Sequence, residues 1–339
     1  MSMRIMVSAA LFVSVLVMSM FAASPAEAHI KWFAEFDLDL PPRGIGEALT
    51  RDFLHLYLLS TFGIYVYFWI DRFMYRKQMF VAALGRFAIS ERQAFWIMRC
   101  AAAIVFGALF AYGLSDAPFF LTPELHDPSA LVKWLHLAMA LAVLYRPTVP
   151  LTGIGIFALY GLGVADYGLY HMLDYLMFVG IGVFFVFAPL RGGGWVKARY
   201  VTLFATTGLS LLWGALEKLG YPGWTFPLLD ENPELLMGMS PEFYMTLAAF
   251  VEFNIVFILL SSASVASRFV AFGLIDAVGH LVIIAVLVIL TIRGPTSARY
   301  FLVLSDKSLW TEAYFMTGLY MLALNVMFMA YYGLYAVLR

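Results

Sequence analysis

Asp276 and His280 stand four residues apart inside one apolar run, a spacing that puts both on one helical face, and Glu252 lies near the middle of the run before it. An acid at mid-bilayer costs about 2.5–3.5 kcal/mol on insertion scales, so each such residue needs a reason to be there. Carboxylates and an imidazole at one depth can pass protons along a relay, or form the polar end of a quinone pocket, where the bound carrier gains and loses protons. They can equally be a hydrogen-bonded cluster that locks helices together. Glu252, Asp276 and His280 are the catalytic candidates.

A second set of residues is ordered by depth. Of six histidines, His29, His55, His136 and His171 fall at one end of the apolar runs, and Asp174 follows His171 by three residues on the same helical face. Glu217 and Glu312 are expected at this level too. Imidazole and carboxylate suit copper, zinc or iron. His29 has a further property. The stretch ASPAEAHIKWF (residues 23–33) follows Arg4 and an apolar run, and Ala26-Glu27-Ala28 fits a small-x-small signal-peptidase site. Cleavage after Ala28 makes His29 the mature N-terminus, where its amine and its own imidazole form a chelate. That amine loses its proton to a cation at modest cost near neutral pH. Copper ranks highest among divalent first-row metals for such nitrogen sites. The expected further ligand is His171, then His136 or His55, and the segment 30–52 is long enough to fold His29 back, with Trp32, Phe33 and Phe36 as anchors. If nothing is cut, His29 is an ordinary residue at a membrane edge.

Composition sets the frame for both sets. The chain has 339 residues, of which 63% are hydrophobic and 13% charged, and its mean hydropathy is +0.86. Soluble domains are nearer a quarter charged, so the expected class is an integral membrane protein, with the lipid bilayer as its first partner. A net charge of −1 offers no basic surface for nucleic acid. Cys100 is the single cysteine, which excludes an intrachain disulfide, a Cys₄ zinc site and a CxxC pair. Gly192–Gly194 lacks the context of a phosphate loop, and Met172, Met237 and Met239 are soft ligands or plain filler.

The elements that must position these residues are apolar runs of membrane-spanning length. Nine are expected after the signal segment: 52–72, 95–114, 130–146, 149–166, 170–189, 199–219, 243–263, 268–292 and 311–337. Basic loops (Arg72, Arg76, Lys77, Arg86, Arg92; then Arg146; then Arg191, Lys197, Arg199; then Arg268) alternate with acidic ones (Asp116, Glu124, Asp127; then Asp166; then Glu217, Asp230, Glu231, Glu234, Glu242). By the positive-inside rule the mature N-terminus is periplasmic and Arg339 cytoplasmic, in a bacterial inner membrane. Arg293, Arg299 and Lys307 break this pattern, because nine crossings put their loop outside. Ser90 with Gln93 reads as a capping box for the second span.

Residues 122–128 (TPELHDP) and 232–241 (NPELLMGMSP) share Pro-Glu-Leu, and each ends on a capping residue followed by proline. One span followed by two four-helix units in the same orientation would explain this. The organisation expected is an all-α polytopic protein: signal peptide 1–28, periplasmic segment 29–51, helices over 52–190, and a four-helix unit over 199–339. LSLLWGALEKLGYPGW (209–224), FVEFNIVFILL (250–260) and RFVAFGLIDAVGH (268–280) resemble the DoxX-like family of four-helix membrane proteins. The resemblance covers roughly 199–337. It implies a Lys-bearing helix end with a proline loop (Lys218, Pro222), a second-helix glutamate (Glu252) and a third-helix polar position (His280). It also implies a membrane subunit of a redox system, including quinone-linked sulfur oxidation. Glu217 and Lys218 are then the cofactor-binding candidates. With no extramembrane domain to donate electrons, another redox protein chain is the expected partner. The alternatives are a proton-coupled transporter or metal-handling protein, and a structural assembly partner.

Overall fold

Side-chain caps set where several helices begin. Thr50 accepts from Phe53 N at 3.1 Å, Ser90 and Gln93 cap each other's backbone N–H groups at 3.3 and 2.8 Å, and Ser240 accepts from Phe243 N at 3.3 Å with Pro241 as the first helical residue. These satisfy N–H groups that a helix start leaves without partners. The computed structural model describes residues 36–80, 88–115, 119–122, 124–126, 129, 131–190, 192–274, 281–293 and 307–338. Its helices are α1 (Ile45–Ala48), α2 (Arg51–Arg76), α3 (Glu91–Ser115), α4 (Leu131–Leu144), α5 (Val149–Met172), α6 (Leu176–Val186), α7 (Gly193–Gly220), α8 (Phe226–Glu231), α9 (Pro241–Ser261), α10 (Val265–Leu274), α11 (Leu281–Arg293) and α12 (Leu309–Leu338). Among the described residues no strand forms beyond an isolated bridge between Phe119 and His126.

Among the described residues, five helical stretches are long and apolar enough to cross a membrane: Arg51–Arg76, Glu91–Leu114, Arg146–Val186, Pro241–Ser261 and Leu309–Leu338. The third is two legs rather than one. At Gly168 the backbone takes φ 76° and ψ 152°, which only glycine adopts readily, and the chain doubles back. A Cβ on Gly153 would lie 2.5 Å from Gly182 O, and Tyr160 donates to Met172 O at 2.8 Å. The expected separation of 149–166 from 170–189 is therefore present as an antiparallel pair.

The end of the bundle where α2 begins is termed the head, and the end where it finishes the foot. Phe53–Phe250 (5.1 Å between ring centroids) and Tyr67–Ser262 (3.0 Å) show α9 running parallel to α2. Phe53–Phe328 (5.6 Å) and Tyr65–Trp310 (6.3 Å) show α12 running against it. Two apolar cores result. α3–α6, the foot half of α7 and α11 enclose one; α2, α9, α12 and the head half of α7 enclose the other.

The expected crossing at 268–292 is not made. Arg268 Nε donates to Thr291 O at 2.9 Å, whereas a single helix would hold those residues about 35 Å apart at 1.5 Å rise per residue. α10 and α11 are instead antiparallel legs of a re-entrant hairpin, each too short to span hydrocarbon. Protein covers the second leg: Ile284, Ala285, Val286, Leu287, Ile289 and Leu290 on α11 are all buried.

Three expectations change with it. α12 starts at the foot, where Arg76 donates to Lys307 O and pairs with Glu312 at 2.6 Å. Glu312 is thus at the opposite end from Glu217, and Lys307 joins the other basic residues rather than breaking their alternation. Leu338 lies at the head with Arg51, so the described residues begin and end at the same end of the bundle. The repeat of two like four-helix units also fails, since α10 and α11 turn back where α5 continues to the head. The unit over 199–339 holds three long helices and a hairpin.

Candidate functional site

The head end gathers a polar and aromatic layer under a strap of chain. Residues 36–50 lie across the C-terminus of α7: Arg43 N donates to Gly220 O (2.9 Å) and Arg43 Nε to Leu219 O (2.5 Å), and its guanidinium pairs with Glu242 at 3.1 Å. These contacts cap carbonyls that the helix end leaves exposed, with a cation at the negative end of its dipole. Further along the strap, Phe36 packs on Trp224 (5.7 Å), and Trp224 stacks on Tyr221 at 4.1 Å. The His171 ring lies 6.0 Å from Tyr221 and 6.2 Å from Trp224, and only 5% of the residue is exposed. Tyr170, Trp213 and Tyr331 continue the layer at 4.9–5.4 Å.

Asp174 and Glu217 are buried beside it, 4% and 8% exposed. Gly214 lets Asp174 reach α7, because a Cβ there would sit 2.9 Å from its Oδ1. Ser210 donates to the Asp174 backbone carbonyl, and Glu217 acts electrostatically on Tyr170, Tyr175 and Tyr331.

The other metal candidates lie apart from this layer. His136 is fully buried on α4, with Nε2 2.7 Å from Phe120 O and its ring 6.0 Å from Phe106, where it ties the 119–126 loop to the bundle. His55 is exposed on the first turns of α2. Among the described residues, no three His, Cys, Asp or Glu side chains gather as a metal group. His29 lies outside the described residues.

Glu252 was expected to form a proton relay or the polar end of a quinone pocket with Asp276 and His280. It pairs instead with Lys218 at 2.8 Å where α9 meets α7, and its side chain is 44% exposed against 18% for the lysine. The long lysine stem carries its charge outward along apolar surface, which explains the position. Asp276 and His280 lie outside the described residues.

A third cluster, at the foot, has no counterpart in the sequence reading. Asp71, Arg72 and Arg268 are each 0% exposed. Asp71 accepts from Ser264 N and Ala263 N at 3.0 Å each, at the N-terminus of α10, and pairs with Arg72. Arg268 donates to Ser262 O (2.9 Å), Ala263 O (3.1 Å) and Thr291 O (2.9 Å), at the C-terminal ends of α9 and α11. An acid at a helix start and a cation at two helix ends complement the dipoles, so the cluster pins the hairpin's base. Its one sequence signal is the Ser262-Ala263-Ser264 break between apolar runs.

No family model, curated protein or solved structure matches the chain. The likeness to the DoxX-like family rests on the residues quoted for it.

Proposed function

We propose that this chain is an inner-membrane protein of a redox system that holds copper at its periplasmic face, with the amine and ring of a mature N-terminal His29 and the ring of His171 as ligands. The observation that carries this reading is the strap, which seats Phe36 on Trp224 in the same aromatic layer as His171. His29 lies seven positions before Phe36, a reach of up to about 24 Å in extended chain, enough to return His29 to that layer. Charge supports the orientation. The foot collects Arg72, Arg76, Arg146, Arg199, Arg268 and Lys307, and the positive-inside rule assigns it to the cytoplasm. The strap and the end of α12 then both face the periplasm. Copper there would exchange an electron with a partner chain. Alanine at His171 is expected to weaken copper binding by at least about tenfold, since even loss of a residue behind the ligands costs about 10–100-fold. Equal copper affinity in wild type and His171→Ala would reject His171 as a ligand.

A lipid-soluble quinone is the proposed carrier on the membrane side. Lys218–Glu252 is an ion pair at membrane depth that is partly open to the surface of the bundle. An open charged pair in hydrocarbon is costly unless a polar group meets it, and a quinone head accepts from the ammonium and exchanges protons with the carboxyl. Quinone extracted from purified wild type should be largely lost in Lys218→Met. Unchanged quinone content would leave the pair as a tie between α7 and α9, and copper uptake into vesicles would favour the transporter reading.

A further inference from the structure

At the foot, the last turn of α4 is closed by side chains from outside the helix. Arg99 of α3 donates from Nε to Val143 O at 2.8 Å and from Nη2 to Leu144 O at 2.5 Å. Thr148 donates to Ala142 O at 2.7 Å and to Tyr145 O at 2.8 Å. These are carbonyls that a helix end leaves without partners, and a cation there complements the dipole. The contacts use one edge of the guanidinium and leave Nη1 uncommitted.

Two more arginines flank this one. Arg92, Trp96 and Arg99 stand at i, i+4 and i+7 on one face of α3, and Arg146 lies two residues past a carbonyl that Arg99 holds. Arg92 and Arg146 are exposed, and Trp96, Leu144 and Tyr145 are each more than half exposed. Every acid described at the foot is already taken: Asp71 pairs with Arg72, Glu91 with Arg199 and Glu312 with Arg76. Among the described residues, then, no carboxylate neutralises Arg92, Arg99 or Arg146. The 25 residues of α3 make about 37 Å of helix against a hydrocarbon core of about 30 Å, so its charged first turns reach the headgroup layer.

We propose that this corner of the foot, where α3 meets the end of α4, binds an anionic phospholipid. Arg92, Arg99 and Arg146 hold the phosphate, Trp96 and Tyr145 lie at the headgroup boundary, and an acyl chain runs beside Leu144. Charge complementarity selects the occupant. Three cations without a carboxylate favour a headgroup of net negative charge, whereas a zwitterionic headgroup brings a cation of its own. The site requires the chain to lie in a bilayer and needs neither copper nor quinone.

Bromine on an acyl chain quenches a nearby indole, so Trp96 reports on this corner. Full-length protein is placed in phosphatidylcholine bilayers containing a minor fraction of brominated phosphatidylglycerol, or the same fraction of brominated phosphatidylcholine. The Trp96 emission is the difference between each protein and its Trp96→Phe counterpart. Brominated phosphatidylglycerol should quench it more strongly than brominated phosphatidylcholine. The preference should fall at least about fivefold in Arg92→Gln/Arg146→Gln, since one basic residue near an anionic surface contributes about that factor. Both arginines are exposed, so the double variant keeps the packing of the bundle. Equal quenching by the two lipids, or a preference that the double variant retains in full, would overturn the proposal. So would inorganic phosphate that abolishes the preference where chloride of equal ionic strength does not, because the arginines would then serve a soluble anion.

Discussion

Replacing Asp71 by alanine should destabilise the protein by about 3–5 kcal/mol, the cost of removing one partner from a buried ion pair. Asp71 serves two elements at once. It neutralises Arg72, and it accepts from the backbone of Ala263 and Ser264 at the start of α10. Alanine takes the carboxylate from a fully buried guanidinium and leaves two N–H groups without their acceptor. Each buried donor so stranded costs about 1–3 kcal/mol, while a net charge is left behind in the apolar foot. Asparagine, which keeps one acceptor, should cost less than alanine. Reversible denaturant unfolding in detergent provides the comparison. A loss below about 1 kcal/mol, typical of an exposed ion pair, would mean that water reaches the cluster and that the hairpin is not anchored there.

How far the sequence reaches this picture depends on the range of each interaction. The caps at Ser90 and Ser240 were legible because a cap is a contact over three residues. The reversal at Gly168 was legible as a gap between two apolar runs. The hairpin was not, since 265–293 has the length and hydropathy of a crossing. What distinguishes it is a hydrogen bond between residues 23 apart and an acid from α2 more than 190 positions away. Arg293, Arg299 and Lys307 did carry the signal, as the one loop whose charge contradicted a crossing.

Charges beside apolar runs usually mark a membrane edge, so Asp71, Arg72 and Arg268 read as loop residues although all three are buried. Histidine depth was similarly ambiguous. It grouped His55, His136 and His171, but the Phe120 carbonyl that occupies His136 Nε2 is a tertiary contact that no spacing reveals. Glu252 was singled out as an acid inside an apolar run. Its partner Lys218 sits 34 residues earlier, on another helix.

The second large effect concerns His29, and it tests the central claim most directly. The copper reading requires both nitrogens of one residue, an amine that exists only after cleavage at Ala28 and the ring beside it. Copper bound per chain should be measured in purified wild type, in His29→Ala, and in Ala26→Leu/Ala28→Leu. In the last the small-x-small site is gone, so the ring stays while its neighbouring nitrogen remains in a peptide bond. N-terminal sequencing confirms where each chain begins. The account predicts tight copper in wild type and at least a tenfold weaker affinity in both variants, the loss expected when a ligand's supporting contacts alone are removed being about 10–100-fold. Equal copper in all three proteins, or none in wild type, would contradict it.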